Sequence, residues 1–168
     1  MAADRATIVG MTIRVIACGN PDAGDDAVGL VVGEELARRG IDVVFTRTAV
    51  DVLDRLNDVD VVIVIDAVRT PGGARTPGTV IRAEADDDGR LPAEVRSSLS
   101  SHGLGVGEAI GLAGALGRVP KVVVHGVEAG DVTIGAPLSA AAQGVVPQVV
   151  SAVLADIEHL TADAQGAP

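Results

Sequence analysis

Apolar residues in this chain fall into short unbroken runs that alternate with stretches of helical spacing. The runs are "TIRVIACG" (Thr12–Gly19), "IDVVFTRT" (Ile41–Thr48), "VDVVIVIDAV" (Val59–Val68), Thr79–Ala83 and "KVVVHGVE" (Lys121–Glu128). They are rich in β-branched residues, which predicts strands. From Val61 to Ile65 no polar residue intervenes, the pattern of a parallel strand buried on both faces. Between the runs, Val28, Val31, Val32, Leu36 and Ala37 keep helical spacing and Gly40 supplies a stop. Val52, Leu53 and Leu56 mark a short second helix. A third is predicted from about Ser101 to Gly117, and a terminal one over Pro137–Leu160, which Pro147 should kink or divide. This alternation predicts an α/β sandwich around a largely parallel sheet. In such sheets ligands bind at the carboxyl ends of the strands. The reading is one domain over residues 12–160, a flexible N-terminal extension over 1–11 and a disordered tail over 161–168.

Composition narrows the picture. Hydrophobic residues make up 48% of the 168 and charged ones 21%, enough for a substantial core. Phe45 is the sole aromatic, so packing falls to Val, Leu, Ile and Ala. The net charge of −10 disfavours nucleic acid and anionic membranes as partners. Cys18 is the single cysteine, which excludes an internal disulfide and suits a reducing cytoplasm. No signal peptide is expected from "MAADRATIVGM", and no uninterrupted apolar run reaches transmembrane length.

The strand ends hold the candidate chemistry. Asp25 and Asp26 follow the first strand, Asp66 closes the run Val61–Ile65, and His102 precedes a helix. One of the adjacent pair is expected to cap the first helix, leaving the other free to act. A carboxylate at the end of five apolar residues needs a partner or a metal. His102 alone reads more readily as a structural or surface histidine than as a ligand. Two carboxylates and an imidazole form a mixed O/N set that suits Zn²⁺, Ni²⁺ or Fe²⁺. Cys18 reads as a small buried residue, His125 as a core histidine, and Asp86, Asp87 and Asp88 as a solvated run. No G-x-S-x-G, HExxH or Walker A pattern occurs.

"GNPDAGDDAVG", "VIVIDAV" and "SSHGLGVGEAI", in this order and spacing, resemble blocks of the hydrogenase maturation endopeptidases, and "HGVEAGD" resembles a further segment. The likeness spans about Thr12 to Leu160. It implies a three-layer α/β/α fold with a mixed sheet, of the phosphorylase/hydrolase-like kind. It also implies a cytoplasmic endopeptidase that removes the C-terminal extension of a nickel–iron hydrogenase large-subunit precursor after nickel insertion. The resemblance maps metal contacts onto Asp26, Asp66 and His102, with Asn20, Asp25 and Glu128 in supporting roles. The nickel would arrive on the substrate, with no resident cofactor. This chain departs from the pattern at Ala17, at Ala27, at Ala129, and at "TRTAVDVL", which replaces a Gly-Gly segment after the second strand. Two rivals remain: a non-catalytic metal-binding assembly factor, and a receiver-like Mg²⁺-binding signalling domain, which would want a lysine at the end of the last strand, where Val127-Glu128 stands.

Overall fold

The computed structural model describes residues 6–8, 11–99, 105–117 and 120–166. Among these residues six strands form one mixed sheet. β1 (Ala6–Ile8) and β3 (Val43–Thr46) both flank β2 (Met11–Cys18), and the sheet continues through β4 (Val61–Val68) and β6 (Lys121–Glu128) to β5 (Val80–Glu84). β3, β2, β4 and β6 run parallel, while β1 and β5 are antiparallel additions. Among the described residues five helices cover the sheet: α1 (Val28–Arg38), α2 (Ala49–Arg55), α3 (Ala93–Ser98), α4 (Val106–Ala115) and α5 (Ala140–Gly166).

The apolar runs that predicted β4 and β6 are buried on both faces because helices lie on both sides. Ile16, Cys18, Val62, Val64, Val68, Val122 and Val124 pack against α2, α3 and α4. Val15, Ile63, Ile65, Val123 and Val127 pack against Val28, Val32 and Leu36 of α1 and Val146, Val149 and Val153 of α5. The period-two alternation puts Asp66, between Val64 and Val68, on the α2–α3–α4 side.

Three expectations change. Residues 6–8 of the stretch read as a flexible extension pair with β2 through Ile8↔Met11 to Ala6↔Ile13. α5 is continuous across Pro147 and runs to Gly166, through most of the segment read as a disordered tail. α3 and a 3₁₀ turn at Pro71–Gly73 were not predicted, being too short to show periodicity. By length and composition α5 also passes for a membrane span, yet its stripe from Ala142 to Leu160 belongs to the core.

His125 of β6 is buried, and its Nε2 lies 2.7 Å from an Asp156 oxygen on α5. Arg82 of β5 donates to both oxygens of Asp156 at 2.9–3.1 Å. Burial lowers the His125 pKa against the opposing pull of Asp156. The unfolded chain therefore takes up a proton near pH 6.5 that the folded chain refuses, so this contribution is present above that pH and is lost as pH falls. His125→Leu should flatten the stability slope between pH 7 and 5 by up to about 1.4 kcal/mol per pH unit. Urea unfolding of both proteins at the two pH values checks this.

Candidate active site

β2 and β4 lie at the point where the chain reverses direction across the sheet, since β3 is added on one side and β4 on the other. The crevice beyond their carboxyl ends is the expected binding place. Two glycines shape it. Gly19 has φ +149°, and a Cβ there would stand 2.1 Å from the Asp26 carbonyl oxygen. A Cβ on Gly29 would lie 2.3 Å from the Cys18 carbonyl oxygen and 2.7 Å from that of Ile65. Glycine at these sites lets the turn fold back tightly and lets α1 rest directly on the ends of both strands.

Asp26 reaches the site from a 3₁₀ turn, Gly24–Ala27, and Asp66 from within β4, two residues before its end. Asp26 Oδ2 accepts the Asn20 backbone N–H at 2.9 Å. Ala17 pairs with Ile65 in the β2–β4 ladder, which sets Cys18 beside Asp66 on adjoining strands. Burial, then the nearby Asp26 charge, push the Asp66 carboxyl up to about 8, against a hydrogen bond from Ala67. Burial also raises Asp26, partly offset by Asn20. In the free protein Asp66 thus holds its proton at neutral pH, and a divalent cation between the two would relieve the repulsion. Burial and the neighbouring Asp66 raise the Cys18 thiol well above its usual value, so it stays protonated and is no nucleophile.

Neither acid caps α1, contrary to expectation: no side-chain cap exists at the 3₁₀ turn or at α1. Asp25 is fully buried and turns inward instead. Its Oδ2 accepts the Gly130 N–H at 2.8 Å and the Ser139 hydroxyl at 2.9 Å, and its Oδ1 accepts the Ser139 N–H at 2.7 Å. The Ser139 hydroxyl in turn accepts the Ala142 N–H at 3.2 Å, in the manner of an N-cap for α5. Backbone bonds from Gly24 to Ala136, Asp25 to Asp131 and Gly135 to Asp22 zip the same two loops. Glu128, buried at the end of β6, accepts the Thr70 N–H at 2.8 Å and its hydroxyl at 2.7 Å. Arg75 bonds the same hydroxyl at 2.8 Å. Both supporting acids therefore tie rim loops together.

Asn20 Oδ1 receives Arg47 Nη2 at 3.0 Å, and Arg47 also lies 3.5 Å from Asp22. Ser139, Thr70 and Arg47 were not singled out as site residues. Ser139 lies 114 residues from its acid and carries no local motif. His102 lies outside the described residues. α4 resumes the chain at its N-cap Gly105, and the Arg69 N–H holds the Ser98 carbonyl of α3 at the carboxyl end of β4 at 2.8 Å. Among the described residues no group of three His, Cys, Asp or Glu is placed to hold a metal. Lys121 sits at the start of β6 and Glu128 at its end, so no lysine takes the place a receiver domain requires.

A family profile described as hydrogenase maturation protease matches residues 47–156, which include Asp66, His102 and Glu128. No curated protein matches the sequence. Among solved structures, the fold is similar to the hydrogenase maturating endopeptidase HybD from E. coli, at 20% identity and TM-score 0.69 over 88% of this chain and 92% of that one. An endopeptidase from Escherichia coli solved in solution gives 21% identity and TM-score 0.72, over 87% and 93%. A hydrogenase 2 maturation peptidase from Thaumarchaeota archaeon SCGC_AB-539-E09 gives 23% and 0.60, over 86% and 97%.

Proposed function

The chain belongs to the hydrogenase maturation protease family, and on that premise we propose that it removes the C-terminal extension of a nickel–iron hydrogenase large-subunit precursor once nickel is in place. Asp26, Asp66 and His102 read the nickel, which the precursor carries as part of the substrate. The observation that supports this reading most is the pair of neighbouring carboxyls at the strand ends, in which burial and the charge of Asp26 raise the Asp66 carboxyl to about 8.

The chemistry follows from that pairing. Without nickel, the two carboxyls repel and one stays neutral, so the precursor is held weakly. With nickel, both can ionise around it, and binding fixes the scissile peptide against the crevice. Such fixation converts a slow bimolecular hydrolysis into a positioned one, worth up to about 7–11 kcal/mol of barrier. A carboxylate freed of its proton beside the bond is suited to act as general base on water. The Gly19 turn and the Asn20 N–H keep Asp26 at the mouth of the site.

The test is cleavage of a purified precursor with and without nickel, read as a shift in size. Asp26→Ala is expected to cut the nickel-dependent rate by at least about 100-fold, the scale of losing one aligned electrostatic contact. Cleavage of nickel-free precursor at the same rate, or full activity in Asp26→Ala, would overturn the proposal.

A further inference from the structure

The edge of β3 offers a place for the peptide that is cut away. β3 pairs only with β2 among the described residues. The Thr46 carbonyl accepts the Gly19 N–H at 3.2 Å, so the Thr46 backbone faces β2. Alternation along the strand then turns the N–H and C=O groups of Val43 and Phe45 outward. Phe45, the sole aromatic in the chain, lies over Gly33 of α1 and is 49% exposed. Its strand leads straight to the site: Thr46 bonds Gly19, Arg47 bonds Asn20, and the Asn20 N–H holds Asp26. Arg47 is part of the segment that departs from the family pattern. Across Asp22, which bonds both Arg47 and the Gly135 N–H, stands Ile134, 71% exposed.

We propose that β3 binds the C-terminal extension of the precursor as an added strand, with an apolar side chain of the extension resting on Phe45. This rests on the proposed function, which makes a polypeptide tail the substrate. An extended peptide is the ligand whose donors and acceptors alternate at the spacing of the Val43 and Phe45 groups, and side-chain pockets then supply selectivity. Strand spacing also sets the register. A strand added outside β3 lies three inter-strand steps from β4, roughly 14 Å, or about four residues of extended chain. The residues that pair with β3 are therefore those about four or more beyond the scissile bond.

Two measurements test this. In cleavage of nickel-loaded precursor, Phe45→Lys and Val43→Pro should each raise KM at least tenfold with kcat within threefold. Val43→Pro removes an outward N–H and no bond to β2. In hydrogen exchange followed by NMR, a synthetic peptide of the extension should slow exchange of the Val43 and Phe45 amides in the wild-type protein, and a peptide N-methylated at alternate residues should not. Unchanged KM in both variants, or amides unprotected by saturating peptide, overturns the proposal. So does protection that grows with protein concentration without peptide, which would mean that two copies pair through this edge. If wild-type protein fails to cut the precursor but the peptide still protects these amides, the proposed function fails and the peptide site stands.

Discussion

Asp66→Asn is expected to abolish nickel-dependent cleavage and, in the same protein, to raise stability at pH 8. The free carboxyl sits among Val64, Val68 and Cys18 with its pKa pushed up to about 8 by burial and by Asp26. In the unfolded chain the same group titrates near 3.9. Between these values the folded state binds the extra proton, so folding loses stability as pH rises through the window. No penalty applies below about pH 4, and the full penalty applies above about pH 8. A shift of this size sets a ceiling of about 6 kcal/mol. Asparagine cannot ionise and escapes it. The variant should therefore unfold at higher denaturant than the wild type at pH 8.5, by at least about 2 kcal/mol, with the gap closing toward pH 4. Denaturant titrations at the two pH values read the stability, and the precursor assay reads the activity. Equal stability at both pH values would show that Asp66 is not a buried acid held against its charge. A site that costs the free protein stability is what a function relying on delivered metal would retain.

The frame was legible because its signals are local. Val61–Ile65 and Val122–Val124 are unbroken apolar runs, and only strands covered on both faces use them. Asp66 stood out for the same reason, as an acid where the run should have stayed apolar. The short elements were not legible: α3 has six residues and β1 three, fewer than a period needs. A structural role for Asp25 was expected, but its form was not. Capping of α1 is the local solution, and the protein uses a distant one. Gly130 and Ser139 are 105 and 114 residues away, and nothing in "EAGDVTIGAPLS" announces that its backbone donors await an acid. Pro147 misled in the other direction, because the roughly 3 kcal/mol that a proline costs inside a helix is outweighed by the burial of Val146, Val149, Val150 and Val153.

Asp25→Ala should destabilise the protein by about 3 kcal/mol or more, which in a domain of this size lowers Tm by roughly 10 °C. The carboxylate is wholly buried and receives three hydrogen bonds. Its removal strands the Gly130 and Ser139 N–H groups, and a stranded buried donor costs about 1–3 kcal/mol where a bond merely lost costs less. Asp25→Asn keeps one acceptor oxygen but points an amide N–H at donors, and should fall between. Ser139→Ala removes the hydroxyl bond to Asp25 together with the one from Ala142 to the hydroxyl, for about 1 kcal/mol. Because both changes break the same contact, the double variant should cost less than the two singles combined, by at least about 0.5 kcal/mol. Thermal melts of the four proteins read this cycle, and strict additivity would show that the clamp is not a unit. The consequence for the site is geometric. Asp25 and Asp26 are successive residues of one 3₁₀ turn, and that turn is bonded by its backbone to the 131–136 loop. Anchoring the first carboxylate to the start of α5 leaves the second little freedom except to face the crevice. At a temperature where Asp25→Ala is fully folded, its nickel-dependent kcat should still fall at least tenfold, because the slackened turn no longer aims Asp26; an unchanged kcat would confine Asp25 to holding the fold.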